Sequence, residues 1–306
     1  MVNMQMVFLG TSSAVPTFER GLTSIAMIRG SEILLFDAGE GMQRNYIKAG
    51  LGMNRKMKIF ISHMHADHCA GLLGLLQTMA LQGREKTIDI YGEPRVEEFL
   101  RENMRIIKFG LTFDVKVHTI DGEGLVVKED DYEVRCCSAL HSIPSFAYVL
   151  QEYHRPGKFD IKEAKRLGIP EGNTYGRLQR GEDVDIGGTT IKSSQVVGPS
   201  RRGRKIGISG DTRPTEKLAE FFRGCDLLVF ESTYSQDNQQ KAVDHWHSTA
   251  SEAAMVAKSA GVKKLFLTHF SARYDETASL VSEASAIHAD VEAADDLRVF
   301  EIPYPE

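Results

Sequence analysis

The stretch Ser62-His63-Met64-His65-Ala66-Asp67-His68 constrains this chain more than any other. It follows an apolar run with strand character, Met57–Ile61, and precedes Cys69–Leu76, which reads as a helix start. Three imidazoles and a carboxylate lie within six residues at a strand end, and packing alone does not ask for that. Neutral imidazole and carboxylate suit borderline divalent metals such as zinc. Side chains alternate along an extended segment, so His63 and His65 point the same way. A turn then carries Asp67 and His68 to a neighbouring position. One short stretch can thus offer two ligands to each of two adjacent ions. Taken alone, it would also fit a solvated His-rich loop or a single structural zinc. Cys69, beside His68, is a weak further candidate for a metal contact, whereas Cys136-Cys137 lies in a strand-like run and reads as small and buried.

Distant partners narrow this choice. Strand-like runs cover Gln5–Leu9, Ser24–Ile28, Glu32–Phe36, Ile88–Tyr91, Phe113–Ile120, Glu133–Ala139, Phe146–Gln151, Lys205–Ser209, Asp226–Phe230, Lys263–Leu267 and Leu297–Ile302. Helical spacing covers Met42–Ala49, Gly71–Gln82, Pro94–Ile107, Pro214–Arg223 and about Asp275–His288. Another helix follows His247, with Ser248 as its N-cap. His141, Asp211 and His269 each stand just after a predicted strand, as His63 does, and such ends can converge on one edge of a sandwich. Each half of the chain runs from strands into strand–helix alternation. That order predicts an α/β fold, an αββα sandwich forming a single domain over 1–306.

The chain holds 306 residues, 42% apolar and 26% charged, ordinary values for a globular protein. No apolar run approaches the ~20 residues that span a bilayer, so no membrane partner is expected. The N-terminal residues read as a first strand and not as a signal peptide. Four cysteines without a paired pattern fit a reduced, cytoplasmic setting. The net charge of −5 argues against indiscriminate nucleic-acid binding, and DNA is not expected as a partner. The charge is uneven, however. Residues 151–205 carry 12 Lys+Arg against 7 Asp+Glu, while the rest carry 25 against 35. Residues 153–204 are also rich in Gly and Pro, with one short helix expected at Asp160–Leu167. They read as an inserted, flexible, protruding basic arm, either an ordinary solvated segment or an electrostatic footprint for phosphates.

The motif HMHADH, with His141, Gly210-Asp211-Thr212 and Thr268-His269, resembles the metallo-β-lactamase superfamily. Within it, residues 6 to 305 are similar to the ribonuclease Z family of tRNA 3′-end endonucleases. The narrower likeness rests on Gly10-Thr11-Ser12, Phe36–Gly41, Tyr175-Gly176, Arg180–Val184, Gly198-Pro199, Gly203–Lys205, His247-Ser248-Thr249 and Thr268–Tyr274. The resemblance implies two zinc ions per chain. His63, His65 and His141 would hold one; Asp67, His68 and His269 the other; Asp211 would bridge them. It implies catalytic roles for Asp67, which would orient the attacking water, and for His247 and Glu231 as a general-acid pair. It also implies precursor tRNA as substrate, gripped by the arm through such residues as Arg177, Arg180, Arg201 and Arg202, and a homodimer in which one arm serves the other subunit's site. Products would be a tRNA with a 3′-OH and a trailer with a 5′-phosphate.

Three positions depart from the family pattern. Ala66 replaces a usual glycine, which is compatible with a negative φ there. Phe230 replaces a usual histidine before Glu231. Pro16–Gly21 lacks a usual Lys and Asn, which leaves open the treatment of trailers beginning with CCA. Other readings of the same residues are a generic phosphodiesterase or thioesterase of this fold, a 3′ exonuclease, and a non-catalytic RNA-binding module with structural zinc.

Overall fold

The computed structural model describes residues 2–305. Alternation along its strands sorts side chains into four layers. The first sheet contains β1 (Met4–Gly10), β2 (Ser24–Arg29), β3 (Glu32–Phe36), β4 (Lys56–Phe60), β5 (Ile88–Gly92) and β6 (Val115–Thr119). Its outer face is covered by α1 (Met42–Lys48), α2 (Ala66–Cys69), α3 (Gly71–Leu81) and α4 (Arg95–Ile107). The second sheet begins with β7 (Gly124–Lys128), β8 (Tyr132–Ala139) and β9 (Ser145–Glu152). Inside the insert lie α5 (Ile161–Arg166), α6 (Asn173–Gln179), β10 (Val184–Ile186) and β11 (Thr189–Ile191). The second sheet resumes with β12 (Lys205–Ile208), β13 (Leu227–Glu231), β14 (Lys264–Thr268) and β15 (Val291–Ala293). Its outer face is covered by α7 (Glu216–Phe221), α9 (Ala250–Ser259) and α10 (Ala278–Ser285), with the short α8 (Gln239–Asp244) in the connection after β13. The last strand, β16 (Val299–Glu301), returns to pair with β1.

Period-two alternation explains the layers. In β3, Leu34 and Phe36 enter the core between the sheets, while Ile33 and Leu35 pack under the helices. In β13, Leu227 and Val229 face inward, and Leu228 and Phe230 face α7 and α9. Strands covered on both faces must be apolar throughout, as these are. β3 to β6 run parallel, as do β12 to β15. Parallel strands end on the same edge, so the segments after β3, β4, β12, β13 and β14 open together. The expected αββα sandwich is thus the observed architecture.

Several local expectations are corrected. β7 lies where the sequence suggested a connector, Gly122–Asp131, and β15 adds a further short strand. The cap of α9 is Thr249 and not Ser248: Thr249 Oγ1 accepts from Glu252 N and the Glu252 carboxylate accepts from Thr249 N, a capping box. The Ser248 hydroxyl donates instead to Thr212 O at 2.6 Å. The insert holds more regular structure than its composition suggested. Asp160 caps α5, and the Gly187-Gly188 pair, at φ +57° and +84°, turns β10 into β11. Ala164, Ile169, Leu178, Val184, Ile191 and Val196 give the insert a small core of its own, separate from the sandwich.

Candidate active site

The strand ends gather the ligand candidates into two adjoining groups. His63, His65, His141 and Asp211 form one; Asp67, His68, Asp211 and His269 form the other, and Asp211 belongs to both. His63 follows β4 by way of Ile61 and Ser62. Asp67 and His68 sit in α2, one turn long; α3 follows at Gly71, where a Cβ would lie 2.0 Å from Gly39 O, so glycine lets the two helices approach the segment after β3. Ala66 opens α2 and is absent from the positive-φ positions, so it fits where the family has glycine. Asp211 follows β12 through Gly210 at φ +58°, and His269 follows β14 at φ +61°. His63 Nε2 and His141 Nε2 come within 3.0 and 3.1 Å of His65 Nδ1. His68 Nε2 lies 3.2 Å from His269 Nε2, and Asp211 Oδ2 lies 3.2 and 3.3 Å from those two nitrogens.

The outward nitrogens fix the tautomers. Ser62 Oγ donates its single proton to Asp37 Oδ2 at 2.8 Å, so it accepts from His63 Nδ1 at 2.9 Å. His68 Nδ1 donates to Asp37 Oδ2 at 2.8 Å. Thr233 Oγ1 donates to Glu231 Oε2 and accepts from His269 Nδ1, both at 2.8 Å. His141 Nδ1 donates to the Trp246 carbonyl at 2.9 Å. Four histidines therefore turn an Nε2 lone pair inward, the arrangement that metal-binding histidines show. Asp37, Ser62, Thr233 and Trp246 were not singled out by sequence reasoning. Phe36–Gly41 was noted only as a family match, and nothing local marks its aspartate as a support for His63 and His68.

The electrostatics favour a cation. Burial holds His63, His65 and His141 below the ordinary histidine range, so their lone pairs are free. Burial acts on His68 too, but Asp211 and Asp37 outweigh it and favour positive charge there, a charge that a bound cation at Nε2 would supply in place of a proton. Burial alone would raise Asp211, yet His269 and His68 keep its carboxyl well below the usual range. Asp67 is likewise lowered against its burial by His269 and His68. Asp211 Oδ1 is buried without a hydrogen-bond partner among the described residues. A buried carboxylate oxygen left unpaired beside inward imidazole lone pairs fits a divalent metal. Cys69 takes no part: it packs under the first sheet, and burial pushes its thiol up to about 12.

Beside these groups His247 Nδ1 meets Glu231 Oε1 at 2.9 Å. Glu231 is almost wholly buried and also accepts from Thr212 N, Thr233 N and Thr233 Oγ1. Burial lowers His247, but Glu231 outweighs it and raises the imidazole to about 9. Arg213 holds the His247 carbonyl and pairs with Glu252 in the first turn of α9. His141, Asp67, Asp211 and His247 line one cleft of about 770 Å³, rimmed by Val15 and Trp246. His245 lines the same cleft and stacks loosely on Tyr234.

The four arginines considered for RNA contact all lie in or beside the insert. Arg177 and Arg180 share Glu182, Arg202 pairs with Asp226, and Arg201 donates to Pro156 O. Lys158, Lys162 and Lys192 also stand exposed there, and composition alone did not single them out.

Known proteins carry the same framework. The family described as "Anti-Pycsar protein Apyc1" matches residues 4–150, and one described as "Beta-lactamase superfamily domain" matches residues 180–270. A ribonuclease Z from Nitrosopumilus maritimus is 50% identical over 98% of this chain and 100% of its own length. One from Methanothermobacter thermautotrophicus is 44% identical over 98% and 97%. The crystal structure of human tRNase Z, short form, superposes with a TM-score of 0.71 at 27% identity, covering 98% of this chain and 99% of that one. A metallo-β-lactamase-fold protein from Bacillus subtilis, at 17% identity and a TM-score of 0.69, shares the fold. With half its residues shared across the whole length of a relative, and its strand ends converging on one buried carboxylate, the chain belongs to the ribonuclease Z family of the metallo-β-lactamase fold.

Proposed function

We propose that the chain is a zinc-dependent endoribonuclease that removes the 3′ trailer from precursor tRNA, leaving a 3′-OH on the tRNA and a 5′-phosphate on the trailer. One observation carries the reading: Asp211 is common to both ligand groups, keeps an unpaired buried oxygen, and lies beside an imidazole already held by a carboxylate. His63, His65 and His141 would hold one ion and Asp67, His68 and His269 a second, with Asp211 shared. Two such ions, when bound, lower the pKa of a water and offset charge on the phosphate.

The chain's own groups supply the rest. Asp67, at the cleft surface, orients the attacking water. His247, with Nδ1 held by Glu231, gives a proton from Nε2 to the departing ribose 3′-oxygen, a poor leaving group. Asp37, Ser62 and Thr233 keep the ligand rings in register. The basic insert holds the tRNA backbone by its phosphates and shape, away from the scissile bond. In a homodimer, each insert would serve the partner's cleft. The setting is the cytoplasm.

The test uses a precursor tRNA with a labelled trailer, an unstructured RNA of equal length and a small aryl phosphodiester. Release of the trailer in one piece with a 5′-phosphate, and strong preference for the folded precursor, are expected. A ladder of mononucleotides would make the enzyme an exonuclease. Equal rates on folded and unstructured RNA would make it a generic phosphodiesterase.

A further inference from the structure

The insert leaves the sandwich through two limbs of chain, and the segment after β16 clasps their root. The limbs pair at Arg155 with Arg201 and at Phe159 with Val197. Between these bridges, Gly157 lies so close to Gly198 that a Cβ on Gly157 would stand 1.8 Å from the Gly198 carbonyl oxygen. The stalk is therefore a tightly packed two-stranded ribbon, and any swing of the insert must arise where the ribbon joins the body.

That junction has an inner and an outer part. In the inner part Arg204, 1% exposed, donates to Glu152 from Nε and Nη2, both at 2.8 Å, and to Ile302 O at 3.0 Å. Arg29 Nε reaches the same Glu152 at 3.1 Å. In the outer part the Tyr304 ring has the guanidinium of Arg155 at 3.4 Å from its centroid and that of Arg204 at 3.9 Å. Two planar cations cannot share one face of a ring at those distances, so the ring is sandwiched between them. Arg155 Nε is buried with no hydrogen-bond partner among the described residues, which leaves the ring as the contact that holds this guanidinium. The Tyr304 hydroxyl donates to Val2 O at 3.3 Å. One ring thus joins the stalk, the body and the residue that leads into β1.

We propose that Tyr304 is a positioning residue for the RNA substrate: the Arg155–Tyr304–Arg204 stack sets the angle of the insert relative to the catalytic cleft. This rests on the reading of the insert as the part that holds RNA. The ring's negative faces attract both cations and keep two like charges apart. Without the ring the Arg155 guanidinium loses that contact and faces Arg204 directly, so the outer part of the junction loosens. The insert's own core, around Leu178, contains none of these three side chains and stays folded. The insert then samples many angles, of which few present the scissile bond to the cleft.

The experiment compares Tyr304→Ala and Tyr304→Phe with the parent enzyme on precursor tRNA and on an aryl phosphodiester, together with amide hydrogen exchange. Tyr304→Ala raises KM for precursor tRNA roughly tenfold, the scale of two cation–π contacts. It leaves kcat and the aryl ester unchanged. The amides of Glu152 and Tyr153, which tie the root of the first limb to Arg204 O and Asp131 O at 2.9 and 3.0 Å, exchange faster, while those around Leu178 do not. Tyr304→Phe keeps the stack and behaves as the parent. Parent-like KM and exchange in Tyr304→Ala would overturn the proposal, as would a Tyr304→Phe enzyme as impaired as Tyr304→Ala, or an equal loss on the aryl ester. Replacing residues 155–196 by a short Gly/Ser linker checks the premise separately. Intact precursor cleavage there removes the premise and the proposal with it. Loss there beside a silent Tyr304→Ala overturns the proposal alone.

Discussion

Asp211 and His269 are 2% and 1% exposed, and four of the five candidate ligand histidines have an acceptor fixed behind the ring. In the insert, by contrast, Arg177 and Arg180 share one exposed glutamate, and the core amounts to a handful of apolar side chains. The first region spends buried hydrogen bonds on orientation. The second offers charge on a small body attached by one stalk. Bond cleavage needs atoms held to a fraction of an ångström, whereas a phosphate backbone is gripped by many weak, interchangeable contacts. The contrast makes a sharp demand on experiment. Damage to the strand ends should affect every substrate, and damage to the insert should affect only the large one.

The largest effect is expected at the shared carboxylate. Asp211→Ala should abolish cleavage of precursor tRNA and aryl phosphodiester alike, and metal analysis should show fewer than the two ions expected in the parent. A single tight ion in the parent, or unchanged metal in the variant, would sink the two-ion arrangement.

His247→Ala comes next. It should slow precursor cleavage about 10²–10⁴-fold while sparing a substrate that expels nitrophenolate, which needs no proton. Metal content should not change. If metal is lost, or both substrates suffer equally, the imidazole is a ligand or a support and the comparison between chemistry and scaffold must be redrawn.

A milder loss is expected one layer further out. Asp37→Asn weakens the hold on both Ser62 and His68 and should lower metal affinity or activity about 10–100-fold, again on both substrates. Metal titration followed by calorimetry would read it. A loss confined to precursor tRNA would contradict the assignment of Asp37 to the ligand rings.

The smallest effect on chemistry belongs to the insert's core. Leu178→Ala removes a fully buried side chain, a change that costs about 2–5 kcal/mol where the site cannot collapse. The insert should loosen while the sandwich keeps its thermal transition. Precursor KM should rise, its dependence on salt should flatten, and aryl ester turnover should stay. Loss of aryl ester turnover would mean that the insert shapes the cleft itself.

Much of this is legible in the amino-acid sequence. The spacing of His63, His65, Asp67 and His68 is a local property, because alternation and one turn of helix decide which way each points. The strand-end positions of His141, Asp211 and His269 followed from run lengths, and the αββα order from the sequence of elements. The insert's basic charge was legible too, but its hairpin and small core were not. Gly187-Gly188 reads equally well as a breaker or as a hairpin turn until the flanking residues find partners.

What the sequence by itself determined is the kind of groups present and their rough place on strand ends. Which neighbours hold those groups was decided by tertiary structure alone. Ser248 and Thr249 are both good capping residues, and Thr249 caps α9 because the Ser248 hydroxyl is taken by Thr212 O. Asp37 lies 31 residues from His68, and Thr233 lies 36 from His269. The tautomers of those rings follow from these contacts. A hydrogen bond between residues so far apart depends on how two sheets pack, and no local pattern encodes it.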